Sequence, residues 1–158
     1  MNPHKSPQNP TNTHQYHSNY LIIVTKMTHI VRKALYSDLP ELQRVYKGWI
    51  DDSPFPPDPL KFDKYLIDAI TSTLYGDSAA TLFVSSCDNN ITQSGYAITG
   101  PSQIPHCSSL VYETRYLHVD AEMPKRDAVK AVEALAQMSV QEADRLGYEF
   151  CVLSLIHI

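Results

Sequence analysis

Lys125 and Arg126, directly behind Pro124, are the residues of this 158-residue chain whose types and spacing point most clearly to chemistry. They lie in Met123-Pro124-Lys125-Arg126-Asp127, between a β-rich run and a long amphipathic stretch. Proline suits the first turn of a helix, where the leading amides have no partner within the helix. Two cations beside free amides make an anion site. Other reactive residues are scattered. Cys87, Cys107 and Cys151 are odd in number and have no CxxC spacing, so reduced packing thiols are expected rather than a metal site or a disulfide frame. His14 and His17 could share a helical face, but nothing completes a metal site around them. Asn90-Ile91-Thr92 matches a glycosylation sequon, which has no meaning in a cytoplasmic protein.

The elements that must position the basic turn run from Leu110 to Val152. Leu110, Tyr112, Tyr116, Leu117 and Val119 form an aromatic run with partial alternation, read as a strand. After the turn, Ala128, Val132, Leu135, Ala136, Ser139, Ala143 and Leu146 recur at helical steps. Lys130, Glu133, Gln137, Gln141, Asp144 and Arg145 lie on the outer face. Gly147 stands where a left-handed residue would close the helix, and Tyr148–Val152 resumes β character.

Upstream, Ile30–Ala34 reads as a first strand and Ser37–Ile50 as a helix with Leu39, Leu42, Val45, Tyr46, Trp49 and Ile50 on one stripe. Ser37 and Asp38 offer N-caps. The proline-rich stretch from Asp51 to Pro59 cannot continue that helix, and serves either as a connector or as a lid. Phe62, Tyr65, Leu66, Ala69, Ile70 and Thr73 mark a second helix ending near Gly76. Thr81–Cys87 and Ile91–Thr99 read as a hairpin turning at Asp88-Asn89-Asn90, with Gly95 marking a bulge or a close backbone contact. Gly100–Ser109 reads as a polar loop.

Length and composition suit one domain with a core of its own. Residues 1–26 are rich in Asn, Pro, His, Ser and Thr and are expected to be disordered or a non-native extension before the domain proper at 27–152. They hold two lysines and no acid; setting those aside from the net charge of −4 leaves −6 on the remainder. An acidic domain argues against a nucleic-acid surface. No run is long enough to cross a bilayer and no signal peptide is evident, so a cytoplasmic protein is expected.

The predicted order β–α–α–β–β–β–α–β, with a basic turn before the third helix, resembles the GNAT family of acyl-CoA N-acyltransferases. IVRKALYSDLPELQRVY is similar to the family's opening strand and helix, LFVSSCDNNITQSGYAITG to its second and third strands, and RYLHVDAEMPKRDAVKAVEAL to its fourth strand, pyrophosphate loop and third helix. The resemblance covers roughly Thr28 to Val152. It implies an α/β fold with a mixed sheet flanked by helices, and acetyl-CoA as acyl donor with no metal. Backbone groups of Leu117, His118 and Val119 would face the pantetheine arm. Arg126-Asp127-Ala128-Val129-Lys130-Ala131 would stand for the family's [Arg/Gln]-x-x-Gly-x-[Gly/Ala], with Lys125 beside it; Arg126 and Ala131 match, and Val129 replaces the glycine. Glu113 is the candidate general base, Tyr112 and Tyr116 candidate lining of the acceptor site, and His118 a weaker candidate base.

The family continues with a fourth helix and further strands, which this chain lacks. Its last six residues, Leu153-Ser154-Leu155-Ile156-His157-Ile158, are identical to one reading of a common transposon-end sequencing adapter, so native sequence is expected to end near Val152. The implied activity is acetyl transfer to an amine by direct attack on the thioester. The rivals are a non-catalytic GNAT-like binding module that has weakened or lost CoA binding, and an unrelated α/β interaction domain. The acceptor stays open, as does a homodimer.

Overall fold

A computed structural model describes residues 29–50, 58–77, 79–87, 90–103 and 108–153. The elements are β1 (His29–Lys33), α1 (Leu39–Ile50), α2 (Pro59–Tyr75), β2 (Thr81–Cys87), β3 (Asn90–Gln103), β4 (Leu110–Val119), α3 (Lys125–Arg145) and β5 (Cys151–Leu153). A single 3₁₀ turn, Tyr36–Asp38, leads into α1. The strands lie in chain order in one sheet. The first four are antiparallel, and β5 runs parallel to β4, returned by the α3 crossover.

The predicted order and the α/β class are those observed. Several boundaries differ for local reasons. The α1 helix begins two residues later than read, because Ser37 and Asp38 form the 3₁₀ turn. Asp38 caps that turn instead: its carboxylate accepts from the Leu35 amide at 2.8 Å and its own amide donates to the Leu35 carbonyl at 3.0 Å. The α2 helix opens at Pro59, with Asp58 accepting from the Lys61 amide at 3.2 Å, and closes on Gly76. The end of the supposed polar loop is strand: β3 extends through Pro101 to Gln103. Its pairing with β2 stops at Thr99, so Pro101 has a neighbour on the β4 side only, where a missing donor is tolerated. The fifth strand is shorter and later than Tyr148–Val152. Gly147, at φ 80°, closes α3 while the Tyr148 and Gly147 amides donate back to the Ala143 and Asp144 carbonyls, the Schellman arrangement. Leu153 is part of β5, paired with Thr114. The N-terminal 1–26 segment, most of the proline stretch, the hairpin residues Asp88 and Asn89, Cys107 and residues 154–158 lie outside the described residues.

Each face of the sheet has its own core. The α1 and α2 helices bury Leu42, Val45, Phe62, Leu66, Ala69 and Ile70 against Leu82, Val84, Tyr96 and Ile98. On the other face α3 lays Leu135 against Phe83, Ala97 and Leu117. Two side chains tie helices to strands. Thr73 donates to the Ala69 carbonyl and accepts from the Leu82 amide at 2.7 Å. Glu142, buried on α3, accepts from Lys33 of β1 at 2.9 Å and from Arg145 at 2.7 and 2.8 Å. Burial works to raise the Glu142 pKa, but the Arg145 and Lys33 bonds outweigh it and hold the carboxyl below the ordinary glutamate value. Gly95 is the close contact anticipated: a Cβ there would lie 2.6 Å from the His118 carbonyl oxygen and 2.9 Å from Val119 Cγ1.

Two stability measurements follow from this packing. Gly95→Ala should lower the urea-unfolding free energy by about 1–3 kcal/mol, since the obstructing atom is backbone. The control Gly48→Ala, in α1 with nothing within 4 Å of its would-be Cβ, should raise it by about 0.5–1 kcal/mol. Because the folded pKa of Glu142 is depressed, its contribution is present above the unfolded value of about 4.3 and is lost as pH falls through the lower folded value. Glu142→Gln should therefore cost about 1–2 kcal/mol at pH 7 and flatten the acid limb of a stability-against-pH curve; a limb of unchanged slope would remove Glu142 from that role.

Candidate functional site

The β4 strand carries the candidate site, and its geometry turns on one residue. Pairing with β3 runs Ile98 to Tyr116 and then Thr99 to Thr114, so Arg115 has no opposite residue and forms a bulge. Side chains alternate normally on either side of it. Before the bulge, Tyr112 and Thr114 share the α3 face with Thr99, whose hydroxyl lies 2.8 Å from the Tyr112 hydroxyl. After it, Leu117 packs into the α3 core while Tyr116 and His118 face α1 and α2. Glu113, opposite Gly100, and Arg115, stacked over Gly100, share that second face. One slip in register gathers Glu113, Arg115, Tyr116 and His118 on one side.

The same point divides the outer edge of β4. Described pairing with β5 covers Tyr112, Glu113 and Thr114, continued by the Tyr112 amide donating to the Phe150 carbonyl at 3.0 Å. From Arg115 to Val119, no described residue pairs with that edge. Leu117, His118 and Val119 lie in that stretch. Leu117 and His118 are buried and Val119 partly so.

The chain then turns through residues 120–124 into α3. Arg44 of α1 reaches across to Asp120 at 2.6 Å while also bonding Glu41 at 2.8 Å. The Asp120 bond, then the Glu41 bond, raise the Arg44 pKa further above its ordinary value. Asp120 is buried, and its second carboxylate oxygen accepts from the Glu122 amide at 3.1 Å while its carbonyl accepts from the Met123 amide at 3.0 Å. Met123 packs beneath the turn. Pro124 is the extended residue before the helix rather than a member of its first turn, and its carbonyl accepts from the Asp127 and Ala128 amides at 2.8 and 2.9 Å. The amides left without a helical acceptor are those of Lys125 and Arg126.

What was read as a basic turn through Ala131 is therefore helical from Lys125 onward. Lys125 and Arg126 are exposed; Asp127, Ala128 and Lys130 are partly buried. Ala131 is fully buried against the sheet and offers nothing to a ligand by its side chain. Val129 is exposed, pointing out of the second turn. Asp127 lies 3.9 Å from Lys130, which offsets its charge at the helix mouth.

Sequence reasoning missed the aromatic layer over β4. Tyr46 stacks on Phe62 at 3.3 Å between ring centroids, Tyr65 meets Tyr116 edge-on at 5.4 Å, and Tyr96 lies 5.1 Å from His118. His118 is buried in this layer rather than solvated. Burial, then the neighbouring phenols of Tyr46, Tyr116 and Tyr65, push the Tyr96 hydroxyl well above its ordinary pKa. Burial also raises Tyr65, against the pull of a hydrogen bond from Arg115. No single element shows this layer in sequence, since α1, α2, β3 and β4 each supply one or two rings. Tyr112, by contrast, lies on the opposite face and cannot line the same space as Tyr116. Glu113 is partly buried and forms no ion pair with a described residue. Among the described residues no cluster of histidine, cysteine and carboxylate side chains is placed to hold a metal ion, and no helix is long and apolar enough to cross a membrane.

Neither a protein-family model nor a curated protein sequence matches this chain. Solved structures do. A probable acetyltransferase superposes with a TM-score of 0.61 at 14% identity, over 78% of this chain and 77% of that one. A GNAT family acetyltransferase from Staphylococcus aureus gives 0.57 at 17% identity, over 81% and 87%. The enzyme AAC(6')-Iy, in complex with the bisubstrate analog CoA-S-monomethyl-acetylneamine, gives 0.55 at 18% identity, over 80% and 78%.

The Arg44–Asp120 pair is the support on which the turn rests. A double-mutant cycle on these two residues should return a coupling of about 1 kcal/mol in unfolding free energy, modest because the arginine is partly solvated. A coupling indistinguishable from zero would mean the turn is held by its backbone bonds alone. The mixed sheet, the α3 crossover and the structural neighbours agree on one conclusion: this chain has the GNAT-type fold.

Proposed function

We propose that this protein is an N-acyltransferase, moving an acetyl group from acetyl-CoA to an amine. One observation carries the reading: the α3 helix opens with two free amides and two exposed cations, directly after a strand segment with whose outer edge no described residue pairs. The structural neighbours named as acetyltransferases support it, one of them holding a CoA-containing analog.

In this reading the Lys125 and Arg126 amides, with their side chains, hold the diphosphate. The edge of β4 at Leu117, His118 and Val119 receives the pantetheine arm by strand-like hydrogen bonds. Residues 127–131 shape the helix mouth, with Lys130 adding charge. The acceptor nitrogen attacks the thioester carbon; the new C–N bond forms, the C–S bond breaks, and sulfur leaves as thiolate, taking a proton from solvent. Glu113, or a water it orders, takes the proton released by the amine. Oxidation states do not change, and no metal is required by the balance. We place this chemistry in the cytoplasm, where acetyl-CoA and reduced cysteines are both expected.

The test is binding first and turnover second. Acetyl-CoA titrated into the full chain should give heat and raise the melting temperature, and Lys125→Gln with Arg126→Gln should weaken that binding about tenfold or more. Absence of heat and thermal shift at millimolar acetyl-CoA would instead favour a GNAT-like binding module that no longer holds CoA. Glu113→Gln should lower kcat by about 10²-fold or more and leave acetyl-CoA binding unchanged.

A further inference from the structure

We infer that Arg115 is the anchor for a carboxylate on the acceptor, so that the amine acetylated is a free amino acid. This rests on the acyltransferase reading and adds the substrate class to it.

The observation is an imbalance among the arginines. Of the five among the described residues, Arg32 grips Asp38 through two bonds of 2.7 Å, Arg44 holds Asp120 and Glu41, and Arg145 holds Glu142. Arg126 is exposed at the mouth of α3. Arg115 is partly buried yet among the described residues meets only neutral oxygens, donating to the Pro101 carbonyl and to the Tyr65 hydroxyl. A guanidinium carries five donors, and removing it from water without a counter-charge is unfavourable. The space it occupies is kept open: a Cβ on Gly100 would lie 3.2 Å from the guanidinium carbon.

The neighbour of Arg115 on the same face is Glu113, opposite that same glycine. The Arg115 guanidinium lies over the glycine that Glu113 faces, and no ion pair joins the two among the described residues. A carboxylate receptor and a candidate base set side by side match a ligand whose nitrogen and carboxylate share one carbon. The planar fork of the guanidinium suits two-point binding of a carboxylate. Tyr116 and Tyr65, meeting edge-on beside Arg115, offer ring surface to the amino acid side chain. The diphosphate does not compete for this cation. Arg115 faces α1 and α2 in mid-strand, whereas Lys125 and Arg126 open the helix on the other face.

The experiment titrates individual L-amino acids, and the amine obtained from each by removing its carboxylate, into the full chain by calorimetry, without and with acetyl-CoA. At least one amino acid should bind about tenfold or more tighter than its decarboxylated partner. Arg115→Gln should abolish that difference, and Arg115→Lys should restore part of it. Amines that bind as well as their amino acids, or a preference that survives Arg115→Gln, would overturn the inference. The wild-type comparison decides the matter even if the substituted chains fold poorly. Amino acid binding without any acetyl-CoA binding would sink the acyltransferase reading and leave the carboxylate site standing. Acetyl-CoA binding and amine acetylation without a carboxylate preference would do the reverse.

Discussion

The unmatched position of Arg115 on β4 is the constraint from which the rest of the site follows. In a regular antiparallel pair, Glu113 and Arg115 would share one face, and Tyr116 and His118 would both fall on the other. The extra residue resets the alternation, so Tyr116 and His118 join Glu113 and Arg115 beneath α1 and α2. The described β4–β5 pairing reaches Thr114, immediately before the bulge. From Arg115 to Val119 no described residue pairs with the outer edge, the stretch that the proposed function assigns to the ligand. Gly95 completes the arrangement: with no side chain, it lets β3 approach His118 and Val119 closely.

Charged groups hold the ends of elements in place, and they follow one pattern. Asp38, Asp120 and Glu142 are buried, while their cationic partners Arg32, Arg44, Lys33 and Arg145 keep substantial exposure. The asymmetry has a physical origin. Short carboxylates can be satisfied by backbone amides at a turn, as Asp38 is by Leu35 and Asp120 by Glu122, whereas long cationic chains can bury their stems and leave their heads near water. The Arg32–Asp38 pair fixes the turn into α1, and Arg44–Asp120 and Lys33–Glu142 join elements distant in sequence, while Arg145 adds to Glu142 from within α3. Arg115 breaks this pattern, a partly buried cation that meets no carboxylate among the described residues.

Where the sequence was legible, periodicity within one element sufficed. Phe62, Leu66, Ala69, Ile70 and Thr73 are buried on α2 as their spacing required, and β4 runs from Leu110 to Val119 as its β-rich composition suggested. Gly147 stops α3 because a left-handed residue can. What escaped depends on partners. The bulge is a relation between β3 and β4, and nothing in either strand alone marks it. Pro101 reads as a loop residue until β2 is known to end opposite Thr99. Glu142 is a charged residue next to the outer-face Gln141 in sequence, and its partner Lys33 lies 109 positions away. The aromatic layer over β4 was invisible for the same reason, being assembled from four elements.

Val129 is the clearest case of a sequence argument that the structure reframes. As the replacement for a glycine in a phosphate-binding motif, it suggests a cradle obstructed by a β-branched side chain. In the fold it is the fifth residue of α3, so its amide is within reach of the Lys125 carbonyl and belongs to the helix. Its side chain points outward. The amides free to meet an anion are earlier, at Lys125 and Arg126, and their access is set by the path of the preceding turn rather than by Val129. That path is fixed by Asp120 and Met123 below and by Arg44 from the side. The net acidity of the chain matters little at this distance, because charges beyond about 8 Å are screened at physiological salt and the nearest acid, Asp127, is already paired with Lys130. On the proposed function, anion binding here would be decided by the geometry of one short turn.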